Sequence, residues 1–387
     1  MVKKYVIEIT DECQDSIEDE KSPSIDFLLS LNKTLHDKII KYKNKITEYY
    51  KNKLWDRYKK ISNEYEMIFT TPNTGANVSQ YIPVSRSFFK MWEMLYDFND
   101  ELRIDRDTPL RCLFLAEGPG GFAEAIIKYR MQLNRECSAQ DEYHGMTLKS
   151  NNNKNIPEWK LGNEILKKVE IHYGADETGN LYNMANIVNV TNKIGKHSID
   201  IITADGGFDF SSDFNNQEEM SMHLIFCEIL TTLLAQREGG HFILKIYDIF
   251  NDSTIKVIHI LKHFYKKVYI VKPLTSRPAN SEKYLVCIGF MQPEDSKRYY
   301  EMLYKYVLFP IPKNLDLIEL PLNRNVLHNI VLYNNYSIIR QVYYIQSTID
   351  FINNTRRSLD SKMITNQILQ EHERKSKKWC KKYGINF

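Results

Sequence analysis

From residue 85 to residue 290 the chain alternates short apolar runs with amphipathic stretches, and that alternation is what most restricts the folds open to it. Apolar runs of this length suit buried strands, and the intervening stretches are long enough to cross back over a sheet as helices. The predicted strands are RCLFLA from 111, YHGMTLK from 143, VEIHYG from 169, IDIITAD from 199, HFILKIY from 241, KKVYIVKP from 266 and KYLVCIGF from 283. Helices fit between most of them, at 122–130, 217–236 and 253–264. Only 272–283 separates the last two strands. A connection that short cannot hold a crossover helix, so the final pair must be antiparallel. The expected class is α/β: a seven-stranded, mostly parallel sheet with an antiparallel last strand.

Both flanks read as helical. Helical periodicity from about 23 to 68 gives way at 70–84, TTPNTGANVSQYIPV, to a run rich in turn residues. The chain therefore divides into a helical, basic N-terminal region (1–80), the α/β domain (81–291) and a helical C-terminal region with a basic tail (292–387). Net charge is only +3, yet residues 38–60 hold nine Lys or Arg against two acids, and residues 374–382 hold six against none. Such runs can bind a polyanion or can be solvated helix faces. Tyr49, Tyr50, Trp55 and Tyr58 interleave with the first run, where they could stack on bases or line a helix's buried side.

With 43% hydrophobic and 26% charged residues, the composition is that of a soluble globular protein. Six scattered cysteines (Cys13, Cys112, Cys137, Cys227, Cys287 and Cys380) show neither a disulfide framework nor zinc-ligand spacing, so no metal is expected. No stretch approaches the roughly 20 apolar residues of a membrane helix, and MVKKYVIEITDEC lacks a signal-peptide core.

The chemistry gathers at one sheet edge. The first long strand runs into Glu117-Gly118-Pro119-Gly120-Gly121-Phe122 and then a helix. Glycines let backbone approach a ligand there, and the helix start offers free N–H groups. The spacing is not the GxGxxG of a pyrophosphate binder. Ligands of an open α/β sheet lie beyond the carboxyl ends of its parallel strands. Asp205 follows IDIITA, Lys245 lies near the end of HFILKIY, and Glu282 starts the antiparallel last strand, so topology alone brings all three to that edge. Lys90, in SRSFFKMWE, sits on a predicted helix among apolar neighbours, where a lysine either snorkels or serves function.

Taken in order, SRSFFK, LAEGPGGF, HGMTLK, ADGGFDF, GGHFILKIYDIF and TSRPANSEKYLVCIGF resemble the FtsJ-like ribose 2'-O-methyltransferases, most closely the eukaryotic and viral mRNA cap enzymes of that family. The resemblance spans residues 85–290 and implies a Rossmann-like, S-adenosylmethionine-dependent methyltransferase fold. It also implies a catalytic set of Lys90, Asp205, Lys245 and Glu282, with Lys245 as the base that takes the 2'-hydroxyl proton. Lys90 nearby and partial burial would favour a neutral Lys245. Ala116, Glu117, Gly118, Pro119, Gly120, Gly121 and Phe122 correspond to the loop around the methionine end of the cofactor, and Asp205 is a further cofactor contact. Where the family often carries an acid for the adenine amino group, this chain has Asn180-Leu181, with Asp176 or Glu177 as alternatives. Ser85, Asn215, Asn216, Gln217 and Asn280 correspond to substrate positions, whereas Arg86 and Arg277 could touch phosphates or pair with carboxylates. No single aromatic stands out as a stack for the cap.

The partners implied are capped mRNA and other capping or transcription proteins, without a membrane. The place implied is intracellular: nuclear, or a cytoplasmic viral factory or virion if the source is a large DNA virus. Two other readings compete, an FtsJ-type enzyme acting on ribosomal or transfer RNA and a catalytically silent RNA-binding or virion protein with the same fold.

Overall fold

The computed structural model describes residues 5–10, 23–50, 53–70, 77–150, 156, 158–208, 215–309, 320–355 and 361–387. Cys13, Lys51 and the end of the ADGGFDF motif lie outside them. The chain opens with β1 (Tyr5–Ile9), α1 (Ile25–Tyr50) and α2 (Leu54–Tyr58), then α3 (Ser87–Asp97) and α4 (Asn99–Leu102). The central part follows as β2 (Arg111–Leu115), α5 (Gly121–Leu133), β3 (Glu142–Met146), α6 (Asn163–Leu166), β4 (Val169–His172), α7 (Met184–Ile194) and β5 (Ile199–Ala204). Next come α8 (Gln217–Ala235), β6 (Gln236–Ile246), α9 (Asp252–Phe264), β7 (Tyr265–Lys272) and β8 (Lys283–Phe290). The chain closes with α10 (Ser296–Leu308), α11 (Arg324–Thr355) and α12 (Ser361–Lys382).

All seven predicted strands form, in one eight-stranded sheet ordered β1-β7-β8-β6-β5-β2-β3-β4. Strands β2, β3, β4, β5 and β6 pair in parallel. β8 lies antiparallel between β6 and β7, as the short 272–283 connection requires. The eighth strand corrects a purely helical reading of the N-terminal region: YVIEI pairs antiparallel with β7 and covers what would otherwise be an open edge. From β2 the chain moves outward to β3 and β4, then returns to β5 on the other side of β2. A crevice therefore opens beyond the carboxyl ends of β2 and β5, where such sheets hold ligands.

The sheet has an apolar core on each face. On one face α8 and α9 share a core with α1, α10 and α11, through residues such as Leu35, Ile39, Phe226, Ile258, Leu327 and Ile345. α1 and α11 run side by side in the same direction, tied by Asn334 Nδ2 to Asn32 Oδ1 (2.9 Å) and Lys45 Nζ to Gln346 Oε1 (3.2 Å). On the other face α3 and α5 pack with the end of α12, where Phe89, Trp92, Phe122, Trp379 and Tyr383 are buried. Both terminal regions thus extend the central core. Burying each large apolar side chain there is worth about 1.5–3 kcal/mol.

One contact fixes the loop after β7 relative to α3. Glu93, fully buried on α3, accepts from the N–H of Leu274 (2.8 Å) and Thr275 (3.2 Å) and from Trp379 Nε1 (3.2 Å). Lys90 lies one helical turn before Glu93, so this anchor sets its distance from the β7–β8 loop.

Candidate active site

The glycine loop is shaped by residues that only small or absent side chains allow. Gly120 has φ +105°, which disfavours other residues, and a Cβ there would come within 2.9 Å of Leu161 and Trp159. At Gly121 a Cβ would lie 2.0 Å from Ser87 Oγ, so this glycine lets α5 begin tight against the start of α3. Beneath the loop Glu117 is buried at 3% exposure. Its Oε1 accepts from Thr203 Oγ1, while Oε2 has no hydrogen-bond partner. Burial pushes this carboxyl well above the usual range. A buried carboxyl oxygen without a hydrogen-bond partner, beneath a glycine turn at a helix start, suits a zwitterion: its ammonium would hold Glu117 ionised against the burial, and the helix start favours its carboxylate. The methionine end of S-adenosylmethionine is such a group, and the loop 116–122 fits it.

Lys90, Asp205, Lys245 and Glu282 converge. Lys90 Nζ meets Glu282 Oε1 at 2.6 Å, and Lys245 Nζ meets Asp205 Oδ1 at 3.2 Å while donating to the Asp205 carbonyl at 2.8 Å. The hydroxyl of Tyr284 sits 3.2 Å from Asp205 Oδ1 and 3.1 Å from Glu282 Oε1, bridging the two pairs. All four charged side chains keep 11–14% of their surface open to solvent. Gly207 gives Lys245 its room, since a Cβ there would come 3.0 Å from Nζ.

The electrostatics correct one expectation. Burial pulls the Lys245 ammonium down, but Asp205, Tyr247 and Glu282 outweigh it and hold the pKa above that of a free lysine. The opposing acids, rather than Lys90, decide its charge, so Lys245 is protonated in this state. Burial pushes Glu282 up, but Lys90 and Lys245 win and hold its carboxyl well below the usual range. Two further groups sit close by. Lys272 is buried, donates to Asn280 Oδ1 (2.8 Å) and the Glu282 carbonyl (2.6 Å), and is pulled down by that burial. Glu228, beneath Gly206, is pushed by burial up to about 8.

The remaining predicted residues divide. Asn280 and Gln217 line an open cleft of about 140 Å³ beside the quartet, together with Lys43, Trp55, Lys59 and Arg277. Ser85 Oγ pairs with Ser87 Oγ at 2.6 Å by the glycine loop. Asn215 donates to Asn44 on α1 at 2.7 Å, and Asn216 is exposed at the start of α8. Asn180 Oδ1 accepts from the Tyr182 N–H at 3.0 Å, a turn-forming bond that leaves its second lone pair for another donor, and Leu181 is buried in the core. Asp176 is engaged as well, by Thr178, Asn183 and Asn186.

Both arginines pair with a carboxylate. Arg277 grips Glu66 with Nε (3.0 Å) and Nη2 (2.7 Å), and Arg86 reaches the same carboxylate at 3.5 Å. In the basic tail, Arg374, Lys375, Lys377 and Lys382 pair with Glu371, Glu64, Glu373 and Asp97, as a paired helix face would. Sequence reasoning missed Tyr284 and Lys272; Trp55, read as a base stack or as a helix's buried side, is buried at 5% exposure and lines the cleft. Tyr284 alone carried a signal, a hydroxyl set two residues from Glu282 at the charged end of an apolar strand.

Comparison with known proteins bears on the family rather than on individual side chains. The FtsJ-like methyltransferase model matches residues 83–290. The chain is 34% identical over 190 residues to cap-specific mRNA (nucleoside-2'-O-)-methyltransferase 1 of Trypanosoma cruzi, covering 49% of this chain and 50% of that protein. It is 31% identical over 247 residues to the Xenopus laevis protein of the same name, covering 62% of this chain and 28% of that one. It is 29% identical over 238 residues to the cap-specific mRNA (nucleoside-2'-O-)-methyltransferase of Autographa californica nuclear polyhedrosis virus, covering 60% of this chain and 86% of that one. The match thus spans half or less of the two longer relatives.

Proposed function

This chain belongs to the FtsJ-like methyltransferase family, and from that membership we propose that it is an RNA ribose 2'-O-methyltransferase acting on the first transcribed nucleotide of capped mRNA. The observation that carries the reading is the interlocked Lys90–Glu282 and Lys245–Asp205 pairs at a partly open sheet edge, beside a glycine cradle. The names of the relatives support the cap as substrate.

S-adenosylmethionine supplies a methyl group on a cationic sulfonium. The loop 116–122 would hold its methionine end, and Glu117 would pair with the ammonium. A ribose hydroxyl is a poor nucleophile until its proton is drawn away. Lys245 is the residue that takes that proton, and it must first shed its own, which the acids around it resist. A positive charge beside Lys245 favours the neutral form. Asp205 and Glu282 hold the two lysines in place, and Tyr284 spaces the carboxylates. Next to this edge lies the cleft formed with α1 and α2; its cations are paired, Lys43 with Asp248, Lys59 with Asp56 and Arg277 with Glu66, so an RNA phosphate there would compete with those carboxylates.

Methyl transfer to matched capped and uncapped short RNAs, followed by mapping of the modified nucleotide, tests the reading. Transfer confined to the first nucleotide of capped RNA supports it. Equal transfer to both RNAs overturns the cap assignment and favours an enzyme of ribosomal or transfer RNA.

A further inference from the structure

At the far edge of the sheet, away from the quartet, two buried histidines face each other across β3 and β4. His144 Nδ1 and His172 Nε2 are 3.1 Å apart, and the residues are 7% and 3% exposed. The outer nitrogens, His144 Nε2 and His172 Nδ1, have no hydrogen-bond partner. Each faces a carboxylate beyond hydrogen-bond reach: Glu142 Oε2 is 3.7 Å from the first and Glu170 Oε1 is 3.9 Å from the second.

Counting protons shows what is missing. If the two rings share an N–H···N bond, one of them spends its only N–H on the inner nitrogen. Its outer nitrogen is then a bare lone pair pointing at a carboxylate. A proton added to the pair cures this by making both outer nitrogens donors. A cation between the inner nitrogens cures it as well, because both outer nitrogens then carry N–H groups toward Glu142 and Glu170.

We propose that His144, His172 and Glu170 bind a divalent transition-metal ion, with Zn²⁺ the best match to two imidazoles and one carboxylate. Zinc takes such ligands at about 2.0–2.2 Å, which sets neighbouring donors roughly 3.3 Å apart. The inner nitrogens already stand at 3.1 Å, Glu170 Oε2 is 3.6 Å from His144 Nδ1, and the donor atoms of all three residues lie within 4.8 Å of one another. Glu170 Oε1 is held by Lys193 at 3.0 Å, which leaves Oε2 for the ion. Glu142, itself held by Arg111 at 2.7 Å, backs the outer nitrogen of His144, the support that metal-bound imidazoles usually have. Glu170 is half exposed, so water reaches the fourth position. Sequence spacing hid this set, since the two histidines are 28 residues apart and meet only through strand pairing. The ion clips β4 to β3 just before the turn that carries Asn180.

The test uses the full chain, stripped by a chelator and titrated with Zn²⁺ by calorimetry and with Co²⁺ by visible absorption. The expected result is one equivalent bound in the micromolar range or tighter, a d–d band for Co²⁺, and a raised melting temperature with Zn²⁺. His172→Gln removes that equivalent. Should that variant fail to fold, Glu170→Gln changes an exposed side chain and weakens binding about tenfold or more. Absence of saturable binding to the intact chain, or binding unchanged in both variants, overturns the proposal.

Discussion

Two clusters of lysines and carboxylates stand side by side at the carboxyl end of β6 and use the same charges for opposite ends. In one, Lys245 meets Asp205 and Lys90 meets Glu282, with 11–14% of each side chain open to solvent. In the other, Asp248 meets Lys43 of α1 at 2.5 Å and Lys283 at 3.5 Å, with only 3–7% exposed. Glu282 and Lys283 are neighbours in sequence, and the strand's alternation sends them to different sides of the sheet edge. The first cluster lies beside the glycine loop with each side chain part open to solvent; the second seals α1 onto the sheet, with Lys43 also at the edge of the neighbouring cleft. Charged side chains in contact do not by themselves mark a reactive site: what separates the two clusters is access and the ligand-shaped surroundings.

The sharpest way to break the comparison is to remove one aspartate from each cluster. Asp205→Ala is expected to cut methyl transfer by about 10²–10⁴-fold. Asp248→Ala removes the carboxylate that two buried lysines share and is expected to lower unfolding free energy by about 3–5 kcal/mol in a denaturant titration. Reversed outcomes would mean that the roles of the clusters have been exchanged.

The pH dependence comes next. A base whose pKa is held up is mostly protonated at neutral pH, and its active fraction grows as pH rises. The single-turnover rate should therefore climb by up to about tenfold per unit through the mildly alkaline range. A profile already flat at neutral pH would show that the bound state lowers Lys245 far more than its acids raise it.

A smaller effect probes the bridge. Tyr284→Phe keeps the ring packed against Phe122 and removes one hydroxyl, so a loss of about tenfold in turnover with stability little changed is expected. A change in KM alone would assign Tyr284 to substrate binding.

Much of this was legible before any coordinates. The strand count, the antiparallel last strand and the convergence of Asp205, Lys245 and Glu282 follow from run lengths and connection lengths, because parallel topology leaves few places for strand ends. Lys90 stood out as a cation in an apolar helix. What escaped depends on contacts distant in sequence. β1 is five residues long near the N-terminus, and only its pairing with β7 makes it a strand. For Trp55 the sequence leaves base stacking and a helix's buried side both open, and only the packing of α1 and α2 decides: the indole is buried in the core and borders the cleft. The charge state of Lys245 is a balance among three dimensions' worth of neighbours, and no motif reports which side wins. Asn180 shows the converse: its turn was legible as a turn, and its side chain forms it.

The weakest expected effect concerns the basic run. Lys53 and Lys60 lie outside both clusters, and changing each to Gln should weaken RNA binding and reduce the slope of log affinity against log salt by about 0.7–0.9 per lysine lost. An unchanged slope would make these lysines a solvated helix face.

The most direct test is Lys245→Ala, with methyl transfer to capped RNA and S-adenosylmethionine affinity measured on the same preparation. The account predicts that transfer is abolished while calorimetry shows cofactor binding within a few fold of the parent. Turnover retained at a comparable rate would contradict it, because the proton of the ribose hydroxyl would then leave by another route.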